Sequence, residues 1–273
     1  MRLALIAAGL LIGLTVPAYS QSAPKIDPWP DLVINVFDDR PIEDGSGVLS
    51  LEAPVRAEDA AIVPITIRSE LPAASDLRIQ KITLVIDENP SPVAAEFELG
   101  PNRRVDEIST RVRVDAYTNI HAVAELSDGK LYAVAKFVKA SGGCSAPAAK
   151  NPGEALADLG EMRFRWFDDA TGKTPQSDGL LEAQLMIRHP NNSGLQMDQI
   201  TRTYTPAFFV RDLSVKVGDD LLFRMLGGIS ISENPSFRFT FSWADNEAVT
   251  AEAIDTDENA FRASWPGPGT GAT

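Results

Sequence analysis

Apolar and polar residues alternate with a period of two in segment after segment of this chain, which leaves little room for anything but β-structure. Phe237, Phe239, Phe241 and Trp243 alternate with Arg238, Thr240 and Ser242. Successive side chains of a strand point to opposite faces, so this run presents one aromatic face and one polar face. Leu181, Ala183, Leu185 and Ile187 repeat the pattern, as do Ile82, Leu84 and Ile86, then Phe97 and Leu99, Val112 and Val114, and Val215 and Val217. Ile62 to Ile67 is β-branched, with Pro64 near its start, where a strand tolerates proline. Ile120–Leu126 and Leu131–Val138 flank Ser127-Asp128-Gly129-Lys130, and an Asp-Gly pair between alternating runs predicts a hairpin. Ala207–Val210 is a short apolar segment, and Gly218-Asp219-Asp220 turns the chain into Leu221–Met225. Helical signal is confined to 31–37 and 154–159. Short strands with turns about every ten residues predict an all-β protein built from immunoglobulin-like antiparallel β-sandwiches.

The alternation lapses between Ala140 and Gly160. Ser141 to Gly153 is rich in Gly, Ala, Ser and Pro and has no apolar period, the composition of a linker. It divides the chain into a sandwich domain over 21–140, an arm and linker over 141–160, and a second sandwich domain over 161–273. With 44% hydrophobic residues, both halves can form cores. The linker carries the chain's only cysteine, Cys144, in Ser141-Gly142-Gly143-Cys144-Ser145. One thiol makes no internal disulfide. Small neighbours and two glycines describe a thiol on a thin, mobile tether, with Gly142 and Gly143 as its hinge. An unperturbed thiol, with a pKa of about 8.5, is already a usable nucleophile near neutrality. Composition leaves two readings open: an incidental linker cysteine, or a working sulfur.

Residues 1–20 have the form of an export signal, with Arg2, an apolar run over Leu3–Val16 and the small-residue pattern Ala18-Tyr19-Ser20. Cleavage is expected after Ser20, leaving a soluble periplasmic protein with no membrane insertion. The net charge of -13, with no basic stripe, argues against nucleic acid as a partner. Two histidines and one cysteine are poor material for a zinc site, and no nucleotide loop, nucleophile elbow or haem-attachment pair is present, so neither metal nor cofactor is expected. Asp38-Asp39 and Asp168-Asp169 read as solvated surface. His121 falls inside a strand pattern and reads as a satisfied, partly buried histidine. His189 ends a strand before Pro190-Asn191-Asn192-Ser193-Gly194, a loop that could meet the Cys144 arm. Asn234 lies in the turn Ser230-Ile231-Ser232-Glu233-Asn234-Pro235 before the aromatic strand and is a second candidate beside the arm.

The motif order resembles a known family. Ala53-Pro54-Val55-Arg56-Ala57-Glu58-Asp59-Ala60-Ala61-Ile62-Val63-Pro64, then His121-Ala122-Val123-Ala124-Glu125, Asp128-Gly129-Lys130 and Gly142-Gly143-Cys144, resemble SoxY, the sulfur-carrying subunit of periplasmic thiosulfate oxidation. His189-Pro190, Gly194, Pro206-Ala207-Phe208-Phe209 and Ser232-Glu233-Asn234-Pro235 resemble SoxZ. Together they are similar to fused SoxYZ-like carriers associated with quinoprotein (PQQ-dependent) dehydrogenases. The resemblance implies two immunoglobulin-like domains and a non-enzymatic role. It implies a covalent carrier at Cys144 for a thiosulfate-derived intermediate, served by periplasmic redox enzymes such as c-type cytochromes or a quinoprotein dehydrogenase. A non-covalent accessory protein of a quinoprotein alcohol dehydrogenase system is the alternative. Two departures stand out. Ser145 and Ala146 replace the glycines that follow the family's cysteine, and the chain continues beyond them. Asn191-Asn192-Ser193 replaces Met-Glu-Thr in the SoxZ-like loop.

Overall fold

A computed structural model describes residues 27–147, 156–167, 179–198, 201–243 and 247–268. The expected export signal, the centre of the linker, Glu154 and Ala155 at the start of the predicted helix and the Asp168-Asp169 pair lie outside the described residues; Leu156 and Ala157 are helical before a turn. The first half comprises α1 (Trp29–Phe37), β1 (Ile42–Asp44), β2 (Leu49–Glu52), β3 (Val63–Ser69), β4 (Ile79–Ile86), β5 (Val93–Leu99), β6 (Val105–Val112), β7 (Thr118–Leu126) and β8 (Leu131–Val138). The second comprises β9 (Met162–Phe167), β10 (Leu180–Ile187), β11 (Val210–Val217), β12 (Asp220–Gly227), β13 (Ser236–Ser242), β14 (Val249–Asp255) and β15 (Ala260–Trp265). The fold is that of two immunoglobulin-like sandwiches, as the alternation predicts.

The sandwiches share their sheets. One sheet has nine strands in the order β1-β8-β7-β4-β5-β12-β11-β14-β15, the other six in the order β2-β3-β6-β13-β10-β9. Both therefore cross from the first half to the second, at antiparallel seams between β5 and β12 and between β6 and β13. The alternation explains why they stack. Leu181, Ala183, Leu185 and Ile187 and Phe237, Phe239 and Phe241 are buried, while Glu182, Gln184, Met186, Arg238 and Thr240 between them reach the surface. Phe97 of the first half meets Phe223 and Phe237 of the second at 6.2 Å between ring centroids, so one core spans both.

β4 and β7 depart from strict alternation because both of their faces are covered. Pro30 and Asp31 lie in the first turn of α1, both favourable at a helix N-terminus. The helix ends as Asp38 turns left-handed, at φ 54°. It lays Phe37, Leu32 and Val36 on Val85, Val123 and Leu131 of the nine-stranded sheet.

Candidate functional site: the seat of Cys144

Cys144 does not hang on an exposed tether. It is fully buried, while Ser141 and Ser145 on either side are exposed. The chain leaves β8, dips into the end of the sandwich beside the β6–β13 seam, and returns to the surface. Backbone bonds fix this route. Gly142 N–H donates to Asp115 O at 2.8 Å, Gly143 N–H to Val114 O at 3.0 Å, and Val114 N–H to Ala60 O at 2.8 Å. Gly142 sits at φ 77°, where a side chain is strained. Gly143 is needed for space: a Cβ there would lie 2.0 Å from Ala60 O and 2.7 Å from Val114 O. In this position the two glycines allow a tight turn and a close backbone approach. The local sequence hid this because the atoms that receive the arm come from Ala60, Val114 and Asp115, far along the chain.

Side chains complete the seat. Asp115 Oδ1 accepts the Cys144 N–H at 3.3 Å. Asn89 sets this corner: its Oδ1 accepts the Asp115 N–H at 2.8 Å, and its Nδ2 donates to Arg113 O at 2.8 Å and to Ser230 Oγ at 2.9 Å. From the second half, Ser193 Oγ donates to Cys144 O. Arg113, 1% exposed, joins the halves, donating from Nη1 to Gly143 O at 3.2 Å and from Nη2 to Asn191 O at 3.3 Å. Burial, reinforced by Asp115 and partly offset by Arg113, pushes the thiol pKa up to about 12. Seated, the sulfur is a neutral, poorly nucleophilic thiol.

His189 shapes the loop that grips the arm. Its Nδ1 accepts the Asn191 N–H at 3.1 Å, its Nε2 lies 3.5 Å from Asp255 Oδ2, and Phe208 packs at 4.5 Å between ring centroids. Burial lowers its pKa, against the opposing pull of Asp255. Asn234, at φ 46°, donates its N–H to His189 O at 2.8 Å, and its own carbonyl accepts from Arg111 Nη2. His189 and Asn234 thus meet each other and connect to Cys144 through Asn191, Arg113 and Gly143. His121 lies elsewhere, bonded to Asp87 at 2.9 Å and stacked under Trp29 at 3.6 Å, a satisfied histidine.

Sequence reading passed over Arg113, Asp115, Asn89 and Ser193. Arg113 looks like the outward member of an alternating pair with Val112 and Val114. One signal was available: Asn191 and Ser193 are two of the positions at which the loop departs from the SoxZ pattern, and Ser193 holds the arm directly while Asn191 holds it through Arg113.

Comparison with known proteins places this geometry. The family model of the sulfur oxidation protein SoxY matches residues 33–144, and that of the sulphur oxidation protein SoxZ matches residues 160–266. No curated protein matches the chain significantly. Among solved structures, the sulfur carrier protein SoxY from Chlorobium limicola f thiosulfatophilum is 28% identical, over 41% of this chain and 91% of that one, with a TM-score of 0.35. A superoxide reductase (neelaredoxin) from Ignicoccus hospitalis is 13% identical, over 34% of this chain and 79% of that one, with a TM-score of 0.30. A β-glycosidase from Bacteroides vulgatus is 9% identical, over 80% of this chain and 24% of that one, with a TM-score of 0.21. The two family models, rather than these overlaps, make the assignment, since they follow each other along the chain and meet around the seat of its only cysteine: the protein belongs to the SoxYZ family of sulfur oxidation carriers, with its SoxY and SoxZ domains fused in one chain.

Proposed function

We propose that this protein is a periplasmic covalent carrier that holds a thiosulfate-derived sulfur intermediate on Cys144 and presents it to partner redox enzymes. The observation that carries this reading is the position of the only cysteine. It is the last residue of the SoxY match, and both halves grip its backbone. Loading joins thiosulfate to the thiol through a new S–S bond. Two electrons leave to an oxidising partner, such as a c-type cytochrome or a quinoprotein dehydrogenase, and the thiol proton leaves to solvent. The protein supplies the thiol and a partner the catalysis: among the described residues no hydrogen bond joins His121 or His189 to Cys144. The seated thiol is the resting state. Release of the arm, hinged at Gly142 and Gly143, returns the sulfur to water and to an ordinary thiol pKa of about 8.5.

Intact mass of protein recovered from the periplasm tests this reading. The expected result is an adduct on Cys144 that reductant removes; a bare thiol in cells that are oxidising thiosulfate would sink it. The complete burial of Cys144 favours one rival, an accessory protein of a quinoprotein dehydrogenase in which the cysteine only packs. A Cys144→Ser strain decides between them: the carrier predicts loss of thiosulfate oxidation, the accessory protein predicts wild-type growth.

A further inference from the structure

Arg113 is a buried guanidinium without a counter-ion. Among the described residues no carboxylate oxygen lies within 4.0 Å of it. Among the described residues its Nη atoms donate to the carbonyl oxygens of Gly143 and Asn191, and its Nε has no partner. Such a charge is strongly destabilising unless something compensates it. Burial lowers the pKa of Arg113, and Glu233, Cys144 and Asp59 oppose this by their fields alone. A second unpartnered buried donor lies on the loop whose Ser193 holds the arm. Gln196 accepts the Ser193 N–H on Oε1 at 3.1 Å and leaves Nε2 unbonded, while Ser193 holds the Cys144 carbonyl.

We propose that Arg113, with Gln196, forms an oxyanion site for a negatively charged group borne on Cys144, so that the sulfonate end of a thiol-bound sulfur species is the counter-ion Arg113 lacks. This rests on the carrier reading above. In the empty protein the Gly143 carbonyl dipole stands where that oxygen would go, and rotation at Gly142 and Gly143 exchanges one acceptor for the other. Asp115 opposes negative charge on the sulfur itself, whereas the sulfonate of Cys-S–S–SO3− carries its charge on oxygens about three bonds farther out. The seat thereby distinguishes an anionic cargo from a bare thiolate and from a neutral adduct. A planar guanidinium suits this task, since it offers two parallel donors to an oxyanion.

Chemical loading supplies the test. The Cys144 thiolate attacks a central sulfur of tetrathionate, forms an S–S bond and expels thiosulfate, leaving an anionic thiosulfonate. Methyl methanethiosulfonate likewise leaves a neutral methylthio group and expels methanesulfinate. Intact mass confirms each product, and dithiothreitol then removes it. Arg113→Gln is expected to speed removal of the thiosulfonate about tenfold, the effect of losing one charge-assisted hydrogen bond, and removal of the methylthio group less than about twofold. Equal acceleration of both would reduce Arg113 to a latch for the arm and overturn the proposal, as would no acceleration of either. If Arg113→Gln does not fold, the wild-type protein decides: thiosulfonate-loaded protein must melt above methylthio-loaded protein, and an equal or lower Tm overturns the site. Because loading is chemical, the result stands apart from what the cell places on Cys144. An empty Cys144 in cells would defeat the carrier reading and leave this outcome untouched.

Discussion

Cys144 reacts only as a thiolate, and its seat suppresses ionisation, so reaction and seating exclude one another. The sign of the pH dependence follows. The thiol pKa is about 12 when seated, against 9.0 for an unperturbed thiol on the same scale. Below pH 9 the seated and released thiols are both protonated, and pH does not shift the balance. Between pH 9 and 12 the released thiol ionises and the seated one does not, so seating loses about 1.4 kcal/mol per pH unit. Alkylation by iodoacetamide should therefore continue to rise about tenfold per unit above pH 9, where a free thiol levels off. A plateau at pH 9 would show the thiol to be open already. Gly143→Ala tests the seat from its other side. Its Cβ meets two backbone oxygens that cannot move aside. Overpacking of this kind costs about 1–3 kcal/mol and should make alkylation at pH 7 roughly ten- to a hundredfold faster. An unchanged rate would mean that the arm does not spend its time in this position.

Strands with one solvent face announce themselves by alternation, and those with two covered faces do not. β10 and β13 were legible as alternating runs because their polar positions meet water. β14 alternates too, but with small residues, Ala251 and Ala253, which carry little hydrophobic contrast. β9 and β15 form edges, and their partly buried aromatic residues pack Phe164 against Trp265 at 5.0 Å. Of the short apolar segment Ala207–Val210 only Val210 belongs to β11, which begins after Phe208 has bridged to Asn192 in the arm-gripping loop. At the seams the energetic weight falls on aromatic rings. Phe223 of β12 is fully buried and touches Phe97, Phe237 and Phe239. Phe223→Ala is expected to cost about 3–5 kcal/mol in urea unfolding. A loss below about 1 kcal/mol would show that the shared core relaxes around the gap.

Two sheets that each cross from the SoxY half to the SoxZ half make one folding unit of the described parts. Cutting between the halves would expose β5, β6, β12 and β13 as unpaired edges over apolar rings, a template for aggregation. The chain should melt in a single transition, with calorimetric and van't Hoff enthalpies equal. Halves expressed separately should aggregate alone and remain soluble when produced together, associating one to one. Two resolved transitions, or two soluble and independent halves, would contradict the shared core. Local pattern alone set the class of fold and most of the strands, and singled out Cys144 as the candidate working residue. Alternation, an Asp-Gly turn and a lone cysteine are local signals, each complete within a few residues. What only the tertiary structure decided is the state of that cysteine. Arg113, Asp115 and Asn89 arrive from the first half and Ser193 from the second, and no local pattern marks an arginine as buried or a glycine-rich arm as seated. Burial is set by what the rest of the chain places around a residue, and here that surrounding converts an apparent open tether into a closed seat for the thiol.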